Sequence, residues 1–195
     1  MKRLGLFITL GVLVIILFWG CNGYNGLIER NEGINEMWSK VETQYQRRTD
    51  LYNSVIKTIE GSANFEKSTL REVMEARAKA TSIRVDANDP ASLEAYQKAQ
   101  ASLQGSFSRL MAVAENYPDL KTTKAFQDFQ TDIGGTENRI NIARRDYITA
   151  VKEYNVRVKR FPGNVLAMLF GFTPKVYYEA DKGTEKAPDI KFDIK

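Results

Sequence analysis

Seventeen residues without a charge, Leu4 to Gly20, follow Lys2 and Arg3 and lead, with no proline in between, into a long stretch whose apolar residues recur every three or four positions. A run this apolar must find lipid or a core. With Cys21 included it reaches about 27 Å as a helix, close to a bilayer core of about 30 Å. A secretory signal has a shorter apolar stretch, about 7–15 residues, and small residues before its cut; this run ends Leu17-Phe18-Trp19-Gly20. A lipoprotein signal also wants small residues before its cysteine, and only Gly20 complies. A retained transmembrane helix is therefore the favoured reading, with Leu4, Phe7, Leu10, Leu13 and Ile16 in lipid and Trp19 and Tyr24 as interfacial aromatics. Lipidation at Cys21 is the alternative, and cleavage with release is a third.

Orientation follows from charge. Lys2 and Arg3 precede the span, whereas Glu29, Glu32, Glu36 and Glu42 stand against Arg30 and Lys40 in the residues after it. The excess of Lys and Arg marks the cytoplasmic side, so the body is expected outside the cytoplasm.

The body carries the same 3-and-4 spacing through Ile34, Trp38, Val41, Tyr45, Tyr52, Val55 and Ile59, with one gap, Arg48. That spacing places the apolar residues on one helix face, so a helix from Tyr24 to Gly61, about 57 Å long, is predicted to continue from the membrane segment. Gly23 and Gly26 are its weak points. A second helix is predicted from Ser68 to Val85. A third, capped by Ser92, uses Leu93, Tyr96, Gln100, Leu103, Phe107 and Leu110 and stops at Tyr117-Pro118. A fourth opens near Thr122 or Thr123 and runs to Phe161-Pro162. Amphipathic helices of this length bury their stripes against one another, which predicts an all-α fold: an elongated antiparallel bundle of three to four long helices with an N-terminal transmembrane helix.

Three regions follow: an anchor at 1–23, a bundle at 24–162, and a final region at 163–195. The last opens with an apolar run from Val165 to Phe172, too short to span a bilayer. It can pack on the bundle as a short helix, dip into the membrane interface, or meet a neighbouring subunit. The tail beyond it, with Pro174 and Pro188, reads as extended and partly disordered.

Composition narrows the chemistry. Of 195 residues 43% are hydrophobic and 27% charged, enough for one domain with a real core beside the anchor. The net charge of +4 falls to +2 once Lys2 and Arg3 are set aside, and the remaining signs alternate, so no cationic footprint for nucleic acid emerges. There is no histidine and a single cysteine. Zinc, haem-histidine and histidine-triad chemistry lose their usual ligand or base, and no Gly-rich phosphate loop or nucleophile elbow is present. No catalytic residue, metal site or cofactor is expected.

The chain resembles the LemA family through Tyr24-Asn25, Trp38-Ser39, "YQRRTDL" at 45–51, "EARAKAT" at 75–81, "ENYPDLK" at 115–121, "GTENRINIARRDY" at 135–147, "FPGN" at 161–164 and "FGFTPKVYYEA" at 170–180. The resemblance implies a bacterial envelope protein with one N-terminal membrane helix and a helical bundle outside. It brings no catalytic residue, substrate or cofactor. Where members commonly carry Ile-Pro-Asn-Leu-Val, this chain has Tyr52-Asn53-Ser54-Val55-Ile56, which removes a proline kink from the first helix.

Candidate contact residues remain. Arg48 on the apolar seam either snorkels from the bundle edge or forms a register-fixing pair with Glu137 or Asp146. Glu137, Arg144 and Arg145 form either a docking face or a solvated helix face. Leu166 and Phe170 stand in the last apolar run. The function expected is a non-enzymatic scaffold, oligomerisation or protein-interaction module, touching membrane lipid, other envelope proteins and copies of itself. An accessory adaptor of an envelope protease or signalling system is the alternative. The location expected is the bacterial inner membrane, single-pass, N-terminus cytoplasmic and body periplasmic.

Overall fold

A computed structural model describes residues 2–61, 65–86 and 88–178, the side chains at 2–6 and 9 excepted. Among them α1 spans Lys2–Glu60 as one helix of 59 residues, about 88 Å long. Its surroundings change along its length. Phe7 and Phe18 are 70% and 72% exposed, whereas Leu27, Ile34, Val41, Val55 and Ile59 are fully buried. Neither Gly23 nor Gly26 interrupts it, and it runs unbroken through Tyr52-Asn53-Ser54.

The buried stripe of α1 is covered chiefly by α5 (Lys124–Lys159), which runs antiparallel to it. Arg30 bonds Glu153 at 3.1 Å near one end of the pair, and the Tyr52 and Phe129 rings lie 6.0 Å apart near the other. The helices α2 (Lys67–Ser82) and α3 (Pro90–Ala114) form a hairpin, tied across its surface by Arg109 and Glu72 at 2.7 Å. The α3 helix lies parallel to α1: Trp38 meets Tyr96 edge-on at 5.5 Å, and Tyr52 stacks on Phe107 at 3.7 Å. The architecture is an all-α antiparallel bundle of four long helices, one extended by an unburied apolar segment. Because the α2–α3 hairpin reaches α1 only from about the level of Trp38, the end nearer the apolar segment is built from α1, α5 and the C-terminal elements.

Two buried clusters fill the bundle. One gathers Leu27, Ile34, Trp38, Val41 and Tyr45 with Tyr147, Tyr154 and Leu166; the other gathers Tyr52, Val55 and Ile59 with Leu103, Phe107, Leu110, Phe126 and Phe129. Arg48 separates them along α1.

Several boundaries differ from the periodicity. The α2 helix stops at Ser82, and Ile83 and Val85 pack from an extended segment. Asp89, not Ser92, caps α3: its carboxylate accepts the Ala91 N–H at 3.0 Å, and Pro90 takes the first turn, where a missing N–H costs nothing. Ser92 bonds back to the Asp86 and Asp89 carbonyls instead. A one-turn helix, α4 (Pro118–Lys121), stands before α5 and sends Leu120 into the second cluster.

After Lys159 the chain turns at Phe161-Pro162, a cis bond, into α6 (Gly163–Phe170). Gly171 ends α6 in the left-handed region at φ 74°, and the Phe172 N–H reaches the Ala167 carbonyl at 2.9 Å, a Schellman closure. Residues 172–178 are extended, but they are held rather than disordered. Asn155 on α5 donates to the Lys175 carbonyl and accepts the Lys175 N–H, both at 2.8 Å. The tail from 179, with Pro188, lies outside the described residues.

The turn into α6 is tight. A Cβ on Gly163 would sit 2.3 Å from the Arg157 carbonyl oxygen, which is backbone and cannot swing aside. Gly163→Ala is expected to destabilise the protein by about 1–3 kcal/mol, with faster amide exchange confined to α6 and the turn. Gly105→Ala, in open space on α3, is the control and is expected to leave the melting temperature unchanged or slightly raised.

Candidate functional site: a polar layer at Arg48

The gap in the apolar stripe of α1 is filled by a guanidinium that does not escape to solvent. Arg48 is 2% exposed, the one buried charge among the described residues. Its Nη2 donates to Gln100 Oε1 at 2.6 Å and to the Gln100 carbonyl at 3.4 Å on α3, and its Nη1 donates to Glu137 Oε1 at 3.4 Å on α5. The guanidinium also lies 4.7 Å from the Tyr45 ring centroid and 5.8 Å from that of Tyr52. Three helices thus meet one cation. Asp146, the other candidate partner, is exposed on α5.

Burial governs the phenols around this layer. It pushes the Tyr52 hydroxyl up to about 12, with Arg48 pulling the other way and Glu137 adding to the rise. Tyr147 is likewise pushed up to about 12 by burial, and Tyr96 is raised by burial first, then by Tyr45 and Glu42. These rings are neutral at physiological pH and serve as hydrogen-bond donors and faces for cations. A groove of about 660 Å³ opens beside the layer, lined by Arg47, Asp50, Tyr45, Tyr96 and Gln100. Among the described residues no group of three or more Cys, Asp and Glu converges as metal ligands would.

A second set of contacts fastens the extended 172–178 strap to the same level. The Tyr45 and Tyr178 hydroxyls are 2.7 Å apart, Tyr147 donates to the Val176 carbonyl at 3.3 Å, and Arg144 lies 4.1 Å over the Tyr178 ring. Arg144, a candidate docking residue, therefore packs on the chain's own strap, while its neighbour Arg145 is exposed. Leu166 and Phe170 lie elsewhere, at the end near the apolar segment: Leu166 is buried over Gly23, and Phe170 sits edge-on to Tyr24 at 4.8 Å. Of the anchor residues, Phe7, Leu10, Leu13 and Ile16 are exposed and Trp19 and Tyr24 are partly so; the side chain of Leu4 lies outside the described residues. Cys21 is exposed on α1.

Gln100, Tyr178 and Asn155 complete these contacts. Gln100 stands within the apolar period of α3 and was the available sign that a polar group enters the core. Asn155 beside Tyr154 carried a weaker version of that sign.

Two measurements test the layer. Arg48→Met strands the buried Gln100 amide oxygen and is expected to cost about 1–3 kcal/mol of stability; adding Gln100→Leu should recover most of it, since a well-packed apolar replacement of a buried polar set is close to neutral. An unchanged melting temperature in Arg48→Met would show that the layer contributes nothing. The second concerns alkali. Unfolded tyrosines ionise near 10, whereas Tyr52 and Tyr147 hold their protons to about 12 in the folded chain, so the folded state binds more protons in that window. Their contribution is complete below pH 10 and should be lost progressively between pH 10 and 12, read as a falling denaturant midpoint with late phenolate absorbance.

Comparison with known proteins places the chain. The LemA family model matches residues 37–192, most of its length. Magnetosome protein MamQ 2 of Paramagnetospirillum magneticum is 25% identical over 175 residues, covering 80% of this chain and 64% of that protein. Magnetosome protein MamQ of Magnetospirillum gryphiswaldense is 23% identical over 186 residues, covering 86% and 68%. Protein LemA of Metamycoplasma hominis is 27% identical over 143 residues, covering 73% and 63%. The chain spans about 64% of the length of the first curated relatives it matches. The Arg48–Glu137 layer, the strap pinned by Asn155 and most of the bundle fall inside the matched region, and the chain belongs to the LemA family.

Proposed function

We propose that this protein is a non-enzymatic, membrane-tethered helical module of the bacterial envelope, which displays the long faces of its bundle to other envelope proteins or to further copies of itself. The observation that carries this is the continuity of α1. Its apolar, unburied first part, long and apolar enough to cross a membrane, passes without a break into the stripe that organises the core. A bundle built on such a helix is held at a set height and tilt above the bilayer instead of swinging on a linker. The N-terminus is assigned to the cytoplasm and the body to the periplasmic side by Lys2 and Arg3.

Two outcomes are expected. Mass spectrometry of the protein from its native membrane should find an intact Met1 or Lys2 terminus; a diacyl group on Cys21 would replace the span by a lipid anchor. In-cell crosslinking followed by sizing in detergent should give discrete higher-mass species, and a crosslink-free, monodisperse monomer would count against the scaffold reading.

A further inference from the structure

We propose that α6 is a second membrane contact: a foot lying in the headgroup–acyl boundary of the bilayer that α1 crosses. The proposal rests on α1 spanning that bilayer and adds a lipid-binding surface to it.

The α6 helix has two apolar faces and only one is used. Leu166 and Ala167 are buried against the bundle, whereas Met168 and Leu169 are 78% and 69% exposed, and Phe161 in the preceding turn is 76% exposed. A water-facing cluster of this kind marks a contact surface. Its height identifies what it touches. Leu166 packs directly over Gly23 of α1, filling the space a Cβ there would need, and Phe170 and Phe172 flank the Tyr24 ring. Gly23 is three residues past Gly20, where the apolar run ends, so α6 stands about 4.5 Å along the axis from the end of the span. Interfacial helices bury their apolar face about 5–10 Å into the headgroup boundary, and side chains of Met, Leu and Phe close that gap.

Charge selects lipid over another copy of the chain. Arg157, Lys159 and Arg160, the last two exposed, lead into the turn before α6, and no carboxylate stands between Tyr154 and Gly171; Lys175 is bonded to Asn88 instead. Basic residues beside an apolar face suit anionic phospholipid and oppose pairing with an identical surface.

The test uses the full chain in nanodiscs, with Cys21→Ser to remove the native thiol and a nitroxide on single cysteines introduced by Met168→Cys or Leu169→Cys. Val14→Cys reports the span and Gln104→Cys an exposed position on α3, one turn past the Arg48 layer. In discs containing anionic lipid, labels at 168 and 169 should collide several-fold less with an aqueous nickel chelate than the label at 104, and should lie shallower than the label at 14. The protection should weaken in discs of neutral lipid only. The proposal is overturned if positions 168 and 169 are as nickel-accessible as 104, or if their protection comes with spin–spin broadening that vanishes on dilution with unlabelled chain, which would make a second copy the occupant. A nickel-accessible label at 14 would instead overturn the span itself, and the foot with it.

Discussion

One helix has to suit two solvents, and the rest of the molecule is arranged around that requirement. From Phe7 to Trp19 the described side chains of α1 are apolar and largely exposed; beyond Gly23 the helix offers a single buried stripe. The α5 helix covers most of that stripe, and the shorter α2–α3 hairpin covers the distal part. The end nearer the span is left with fewer helices, and α6 and the 172–178 strap close it.

The stripe is interrupted once, and the interruption is informative. A guanidinium removed from water needs acceptors within the fold; at Arg48 those of the two Nη atoms come from α3 and α5, while the buried Nε has none. Sliding either helix by one turn would move Gln100 or Glu137 about 5.4 Å and strand the cation between two apolar clusters that could otherwise tolerate the slip. Leu, Val, Phe and Tyr supply most of the burial, and the Arg48 layer ties α1 to α3 and α5 at one level. The Tyr45–Tyr178 pair extends the arrangement to the strap, so the C-terminal segment is fastened at the level of the buried Arg48.

Much of this was legible in the residues. The 3-and-4 spacing located the four long helices, because a stripe sustained over many turns outweighs local propensity; the missing apolar residue at 48 left both a snorkelling and a buried guanidinium open, and the structure buries it. Partner choice was not legible to the same degree. Glu137 and Asp146 both lie on α5, about 13.5 Å apart along its axis and on opposite faces, and the axial register and rotation of that helix against α1 decide between them. The cap at Asp89 was missed because Ser92 suits the same role, and the geometry that Pro90 imposes on the first turn settled it. The strap reads as loop since its hydrogen bonds go to the Asn155 side chain rather than to a neighbouring strand. The α6 helix is two turns long, too short for a period to separate a packed face from an exposed one.

The proposed fixed stance on the membrane requires a rigid join between span and bundle, and Gly20, Gly23 and Gly26 stand where a hinge would be cheapest. Amide hydrogen exchange of the full chain in nanodiscs measures this directly across residues 18–30. A continuous rod predicts amides from Cys21 to Leu27 exchanging as slowly as those from Ile34 to Tyr45, because opening one requires breaking the same helix. Rapid exchange confined to 20–26, with protection on both sides, would mean that the bundle swivels on its anchor and would contradict the proposed coupling.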